Sequence, residues 1–448
     1  MKMLALEAPA PRSVGIEPLA LATFIVVGLA FSRISESVEA STGLLPISSV
    51  VGILAIGLVL WSRTERASAR PMLAVLGVLA CLHLAVAAFS AVDARDPSLA
   101  FESLDGQLRS IAIAAAVVVL VTTPRRLQLA LSAVVWGTLL VASVSCLQAL
   151  TGSYESTYLG LAKADLAALD TGAGWRLGGP LGDPNFFAQL LTVGVAVSVA
   201  RCMAVRRSGV SWVVPMAATL LGTTALLLTY SRGGLVAFGA SLLLIAARWL
   251  SWRAAVAAVV VGIVLVAVAP DALTERLLTA AEDAPTALAG EPVADTAING
   301  RASEAIVGYQ VFSDHWLLGV GPGNYPAHYL DYAHHLGLDV RGTERSAHSL
   351  VVETLAETGI VGLAALTALV LVAFAAVGSL RRQFTRGETD QPLWWCAVAV
   401  EAGLVAHLAC ALFLHSAYPR GLWLMLGLAF ACGQVTRGVT RSVEPAAV

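Results

Sequence analysis

The stretch RSAHSLVVETLAETGIVGLAAL, residues 345–366, passes from a charged segment into a long apolar run. That run continues through residue 379 and exceeds the about 20 residues that a membrane-spanning helix needs. His348 stands immediately before it, and Glu353 and Glu357 lie four residues apart, on one helical face, near its start. The stretch therefore predicts a membrane-spanning helix with ionisable groups at its entrance.

The composition of the whole chain agrees with a membrane protein. The 448 residues are 57% hydrophobic and 13% charged, with a mean hydropathy of +0.78, whereas a soluble domain carries about 25% charged residues. We expect an all-α, polytopic integral membrane protein. The net charge of −2 argues against a nucleic-acid partner. The six cysteines lie in or beside apolar runs, so neither a disulfide framework nor a zinc site is expected.

Apolar runs predict about twelve transmembrane helices. The first should be retained, because no A-x-A cleavage site follows it. The predicted spans lie near residues 16–31, 45–61, 72–91, 110–123, 127–149, 185–200, 211–229, 234–249, 254–270, 350–379, 393–414 and 421–435.

The placement of basic residues predicts the orientation. With a cytoplasmic N-terminus, every interior loop is basic and most of the 28 lysines and arginines lie inside. We therefore expect a multi-pass protein of the cell inner (cytoplasmic) membrane with both termini in the cytoplasm and its polar mass outside. We divide it into a transmembrane bundle of about nine helices (1–270), an extracytoplasmic loop domain (271–349), and three C-terminal transmembrane helices with a cytoplasmic tail (350–448).

The predicted outer loops contain short helices and arginines that suit a phosphate. Helices are predicted at 273–281, 300–312 and 325–336. Arg232, in TYSRGG, has a planar fork that donates bidentately to phosphate, although a snorkelling arginine is an alternative. Arg301 would lie in the first turn of its helix, where free N–H groups and a guanidinium together favour an anion. The alternative is a solvated arginine paired with Glu304.

Two glycine-rich segments have structural explanations. In GWRLGGPLGDPNFFAQLL, residues 174–191, Asp183 suits a helix N-cap with Pro184 at the first helical position. Arg176 in the same stretch is a third candidate arginine. GVGPGNY, residues 319–325, follows no strand and lacks Lys-Ser/Thr, so it is not a nucleotide loop. It predicts a rigid turn lying along the membrane surface.

His348 is the candidate general base, since histidine titrates near neutral pH. Capping or packing at a helix start is the alternative. Glu353 and Glu357 could orient an imidazole, bind a sugar hydroxyl, or favour the helix N-terminus.

Three competing sets of ionisable residues have other interpretations. One set has metal-ligand spacing on a helix, but a polar helix face is favoured for it: His328, Asp331, His334 and His335. An acidic pair of the kind found in metal-dependent glycosyltransferases lies in a short charged loop: Asp93 and Asp96. Groups within the apolar runs would form a proton path if the protein were a transporter: His83, Glu401 and His407.

The sequence resembles the O-antigen ligase and O-antigen polymerase family of bacterial membrane glycosyltransferases. The matching motifs occur in the family's order between about residues 174 and 365. They are the DPN turn at 183–185, Ser-Arg-Gly at 231–233, Arg301 in a loop helix, LLGVGPGNY at 317–325 and HSLVVETLAETGIVG at 348–362.

The resemblance implies a metal-independent, inverting transfer of a glycan from undecaprenyl diphosphate to an acceptor hydroxyl outside the membrane, without a cofactor. It assigns the diphosphate to Arg232 and Arg301 and the base to His348. The family often has asparagine after this histidine, where this chain has Ser349. The implied partners are the lipid-linked glycan donor, a lipid or glycan acceptor, and the bilayer. The substrate-binding residues that we expect are Arg176, Tyr230, Asn185, Asn324 and Glu357.

Within this family we expect a ligase, with a repeat-unit polysaccharide polymerase as the alternative. A twelve-helix lipid-linked glycan flippase or proton-coupled transporter is the alternative of another class. Such a protein would depend on groups near the bilayer midplane, such as Glu401 and His407.

Overall fold

The structure is a computed structural model of the protein. It describes residues 17–42, 57, 63–165, 174–208, 212–249, 285–287, 296–338, 345–384, 392–415 and 419–443. The predicted spans 45–61 and 254–270 lie outside these ranges, apart from residue 57, and so does the predicted surface helix at 273–281.

Helices make up 81% of the described chain. They are α1 (Pro18–Ser32), α2 (Ile34–Thr42), α3 (Arg63–Ser90), α4 (Pro97–Leu120), α5 (Pro124–Thr151), α6 (Pro184–Ser208), α7 (Val213–Leu227), α8 (Arg232–Trp249), α9 (Thr296–Asp314), α10 (Tyr325–His335), α11 (Leu350–Arg382), α12 (Pro392–Ala411) and α13 (Arg420–Val443). Two short antiparallel strands, β1 (Lys163–Asp165) and β2 (Arg176–Gly179), form a hairpin that the sequence did not predict.

The prediction of an all-α polytopic membrane protein is confirmed. Among the described residues, eight helices are long and apolar enough to cross a membrane, and α1 and α7 are shorter apolar helices. Each of the ten predicted spans that fall in the described ranges overlaps one of these helices. The α4 helix starts well before the predicted residue 110, at Pro97. Asp96 accounts for this start, because its carboxylate accepts hydrogen bonds from the backbone N–H groups of Ser98 (2.9 Å) and Leu99 (3.3 Å).

The α12 helix is the centre of the bundle. It packs against α6, α8 and α11, while α13 packs against α4 and α11. Every side chain from residue 393 to residue 404 is buried, including the carboxylate-bearing Glu401. Two arginines bind that carboxylate: Arg248 from α8, through Nε (3.1 Å) and Nη2 (2.6 Å), and Arg381 from α11, through Nε (3.4 Å). Glu401 is therefore held in an ion-pair network between three helices, which explains its burial without a transport role.

The α11 helix is interrupted at Gly359, which has φ +65° and ψ −166°. The segment from Trp316 to Gly321 packs into the interruption. Its carbonyl groups accept from the N–H groups that follow the break, with Ile360 N at 2.9 Å from the oxygen of Trp316. Its own N–H groups donate to the carbonyls that precede the break, with Gly321 N at 2.9 Å from the oxygen of Glu357.

The glycine-rich turn therefore has a different role from the predicted one. It does not simply lie along a surface, because its backbone pairs with the backbone of α11. A Cβ atom on Gly319 would overlap the backbone of Ala356 and Glu357, and a Cβ on Gly359 would overlap the carbonyl group of Leu317. These two glycines are needed because the two chain segments touch at their backbones.

We expect Gly359→Ala to destabilise the protein by about 2 kcal/mol or more, since alanine is strained at this positive φ and its methyl group overlaps Leu317. The melting temperature of the purified protein in detergent measures the effect. Gly77→Ala is the matched control, because a Cβ there meets no atom within 4 Å and alanine favours a helix interior. Equal melting temperatures for the two variants would contradict this role of Gly359.

Candidate active site

His348 lies where the extended segment 345–347 enters α11. Its backbone adopts φ +44°, one of five positive φ values among the described non-glycine residues. Such strained conformations cluster at functional sites. Its Nδ1 atom lies 2.8 Å from Oε2 of Glu304 and 3.1 Å from the carbonyl oxygen of Ser346. Because both partners are acceptors, Nδ1 carries the hydrogen, and the neutral ring presents Nε2 as its proton-accepting atom.

Glu304, on α9, is the residue that orients His348. Its side chain is fully buried, and Oε1 lies 2.6 Å from Nε of Arg345. Burial of a carboxylate requires such partners, because an unpaired charge is costly inside a protein. The sequence suggested Glu304 only as an alternative partner of Arg301, and its contact with His348 was not predicted. No local pattern connects the two residues, since they lie 44 positions apart.

Tyr325 contacts the backbone of Glu304. Its hydroxyl donates a 2.6 Å hydrogen bond to the backbone carbonyl oxygen of Glu304. Burial raises the pKa of Tyr325 well above its ordinary value, and the nearby charge of Glu304 adds to the effect. The phenol therefore stays protonated and remains a donor.

His415, which the sequence analysis did not select, completes the surroundings of the base. Its ring stands edge-on to that of His348, with centroids 5.1 Å apart, and edge-on to Phe186 at the same distance. Burial, together with the proximity of His348, lowers the pKa of His415 to about 4, although Asp183 and Glu304 act in the opposite direction. His415 is therefore neutral at neutral pH, so it places no positive charge beside the ring of His348.

Hydrogen bonds hold three predicted site segments together beside this pair. Arg176 donates from Nε to the carbonyl oxygen of Thr229 (2.9 Å) and from Nη2 to Oδ1 of Asn185 (3.3 Å). The hydroxyl of Ser231 donates to the same Oδ1 atom (2.9 Å). Asp183 caps α6 as predicted, accepting from the backbone of Asn185 (2.7 Å). The structure thus joins the DPN turn, Arg176 and the Ser-Arg-Gly turn.

The Ser-Arg-Gly turn forms the N-terminus of α8. The Ser231 hydroxyl accepts from the backbone N–H of Gly234 (3.3 Å), and Arg232 is the first residue of the helix. Tyr230, just before the turn, has φ +50°. Arg301 and Asn185 line a narrow crevice together with Ser231 and the two glycines that follow Arg232. Arg301 therefore faces the turn that carries Arg232.

Arg301 also links this crevice to the base. It precedes Glu304 by three positions on α9, and residues with that spacing share a helix face. One detail of the prediction is wrong: α9 begins at Thr296, so Arg301 lies beyond the first turn and away from its free N–H groups. Gly300 lies inside this helix, and the guanidinium of Arg345 packs over it, 3.2 Å from where a Cβ would stand.

Two other predicted binding residues make contacts at the glycine-rich turn: Asn324, which belongs to it, and Glu357 of α11. The fully buried Asn324 accepts from the backbone N–H of Asp96 (2.7 Å) and donates to the carbonyl oxygen of Asp96 (3.0 Å). Oε1 of Glu357 accepts from the backbone N–H of Tyr325 (3.2 Å). Both side chains therefore join loops to helices, and Glu357 also lines a large cavity described below.

The competing sets of ionisable residues have other contacts. Asp331 is ion-paired with Arg95, and Asp96 caps α4. His83 contacts Gln107 through Nε2 (2.8 Å). No group of three or more His, Cys, Asp or Glu side chains with metal-binding geometry occurs within the described ranges.

A comparison with models of known protein families gives a match to part of the chain. Residues 217–367 match the family model described as O-antigen ligase. The matched part includes the Ser-Arg-Gly turn, Arg301, the glycine-rich turn and His348. No curated protein matches the chain. The family match confirms the resemblance seen in the sequence and supports, at the level of the family, a membrane glycosyltransferase of the ligase or polymerase type.

Proposed function

We propose that this protein transfers a glycan from undecaprenyl diphosphate to an acceptor hydroxyl on the outer side of the cytoplasmic membrane. The observation that carries the proposal is the contact between Glu304 and His348, one helical turn from Arg301. An oriented base and an arginine that faces the Ser-Arg-Gly turn are the two elements that such a transfer requires.

The arginines suit the leaving group. During transfer the bond between the anomeric carbon and the phosphate oxygen breaks, and its electron pair stays on the diphosphate. Arg232 and Arg301 then stabilise the growing negative charge, with Arg176 held nearby through Asn185. Charges fixed before the reaction act without the cost of reorganising, and losing one such contact slows catalysis by roughly 10²–10³-fold.

His348 suits the acceptor. Its Nε2 atom accepts the proton of the attacking hydroxyl as the oxygen bonds to the anomeric carbon. Glu304 bonds to the other ring nitrogen and so stabilises the imidazolium that forms. In-line attack opposite the leaving diphosphate inverts the anomeric centre. In total, the bond from the anomeric carbon to the phosphate oxygen is replaced by a bond to the acceptor oxygen, and the acceptor proton moves to His348.

The position of basic residues along the chain supports an outer site, because the predicted inner loops hold most of the lysines and arginines. We favour ligation to a lipid or wall acceptor over polymerisation. Incubation of the purified protein with undecaprenyl-diphosphate glycan, alone and with candidate acceptors, tests both. Product ladders from donor alone indicate a polymerase, one shifted acceptor indicates a ligase, and no transfer with any acceptor contradicts the proposal.

We expect His348→Ala to reduce glycan transfer by roughly 10²–10⁴-fold, because the general base is lost. Transfer is measured with purified protein of unchanged melting temperature. The control is His335→Ala, which removes an exposed imidazole of α10. Full activity in His348→Ala would rule out its role as the base.

Arg232→Ala should reduce transfer by roughly 10²–10³-fold, since one charge on the leaving diphosphate is lost. Arg437→Ala, which removes an exposed arginine of α13, should leave the rate unchanged. Transfer should also withstand EDTA. Strong inhibition by the chelator would favour metal-dependent chemistry instead.

We expect Glu304→Gln to lower kcat by about 100-fold with little change in KM, because a misplaced base costs catalysis more than binding. Glu304→Asp should restore part of kcat, since it keeps a carboxylate for His348. A loss that appears in KM, or no rescue by aspartate, would show that Glu304 does not position the base.

A further inference from the structure

A second concave region adjoins the base on the side of α4 and α11. Its volume is about 630 Å³, within the range of small-molecule sites. It is bounded by α4, the first turns of α11, the end of α12 and the start of α13. Ser346 and Leu350, which flank His348, line it, and so does His415, whose ring contacts His348. The cavity therefore leads to the base from a direction that the arginine crevice does not occupy.

The charge of this cavity differs from that of the crevice. Glu102 and Asp105 of α4 line it on one side, and Glu353 and Glu357 of α11 line it on another. Among the described residues that line it, Arg109 is the one arginine, and it is ion-paired with Asp105. Carboxyl groups thus outnumber guanidinium groups in the lining.

Uncharged hydrogen-bonding groups complete the wall. Ser103, Gln107 and Thr354 contribute a hydroxyl, an amide and a second hydroxyl. His83 also lines the cavity, and its side chain is more than nine-tenths buried. Its Nε2 contacts Gln107, while its buried Nδ1 atom has no hydrogen-bond partner among the described residues. Such an atom is one that a ligand hydroxyl can satisfy.

We propose that this cavity holds the acceptor, and that the acceptor enters it with an unphosphorylated glycan that presents hydroxyl or ammonium groups. The inference rests on the proposed function and names the substrate class of its acceptor side.

Hydrogen bonding explains the preference for such a glycan. Carboxylate oxygens accept from sugar hydroxyls and from ammonium groups, and a protonated carboxyl can also donate. Glu353 and Glu357 are buried, so their bonds to a sugar are shielded from water. A glycan of two or three rings has enough hydroxyls to reach both helices.

Electrostatics explains the exclusion of phosphate. A sugar phosphate would bring negative charge beside the carboxylates of Glu102 and Asp105, which line the cavity and are both exposed. Two like charges about 4 Å apart repel each other by about 1 kcal/mol even in bulk water and by more near a protein surface. The donor diphosphate is not affected in this way, because the proposed donor site lies at the separate crevice that Arg301 lines.

Binding of three matched sugars to the full-length protein in detergent tests the proposal. The probes are a trimer of β-linked N-acetylglucosamine, the same trimer without its acetyl groups, and the same trimer phosphorylated on O6. Isothermal titration without donor measures each affinity. We expect the neutral and amine forms to bind and the phosphorylated form to bind about tenfold or more weakly.

The double variant Glu102→Gln/Asp105→Asn should reduce this discrimination at least severalfold, since it removes two carboxylates and frees Arg109. Glu155→Gln, an exposed charge outside the cavity, is the matched control and should leave it unchanged. Equal or tighter binding of the phosphorylated trimer, unchanged discrimination in the double variant, or no binding of any probe would overturn the proposal. The titration needs no transfer, so a protein that discriminates as expected but never transfers a glycan would refute only the proposed function.

Discussion

The backbone pairing between the interrupted helix α11 and the segment before α10 is the constraint on which the site depends. An interruption at membrane depth exposes N–H and C=O groups, and each one left unpaired in an apolar environment costs several kcal/mol. Here the Trp316–Gly321 segment provides the missing partners on both sides of Gly359. The hydroxyl of Ser90 adds a further bond, 2.5 Å long, to the carbonyl oxygen of Glu357. The loop helices are thereby fixed to the bundle by main-chain bonds.

The site itself is arranged around one buried carboxylate. Glu304 forms an ion pair with Arg345 through Oε1 and a hydrogen bond with His348 through Oε2, so one carboxylate holds both residues. Arg301, one turn earlier on the same helix, lines the crevice beside the Ser-Arg-Gly turn that begins α8. Among the described residues, the crevice is lined by one charged residue, Arg301, whereas the lining of the larger cavity has four carboxyl groups and one guanidinium. This difference suits a reaction in which the donor leaves as a negatively charged diphosphate and the acceptor hydroxyl gives up a proton.

Sequence reasoning predicted the features that local patterns encode. Apolar runs predicted the helices, and Asp183-Pro184 predicted the start of α6, because hydropathy and capping act over short distances. Arg176, Arg301 and His348 were selected as charged groups beside apolar runs, and the structure places Arg301 and His348 near the same helix turn. Whether each acts on substrate stays a prediction.

What the sequence did not predict depends on contacts between distant segments. Glu304 had a nearby arginine as its apparent partner, and only the folded chain places it against His348. Gly300 suggested a helix boundary, yet the guanidinium of Arg345 covers it within α9. The break at Gly359 was hidden in a continuous apolar run, because its compensation comes from a loop about 40 residues earlier in the chain.

The contact of Glu304 with both Arg345 and His348 has a consequence for exchanging parts between related proteins. The helix 296–314 and the connector 345–349 form one unit, although the α10 helix separates them in the chain. A chimera that takes the loop helix from one parent and the transmembrane helix from another keeps its hydrophobic pattern and its span lengths. It nevertheless disrupts the geometry of the base, unless the loop helix and the connector both come from the same parent.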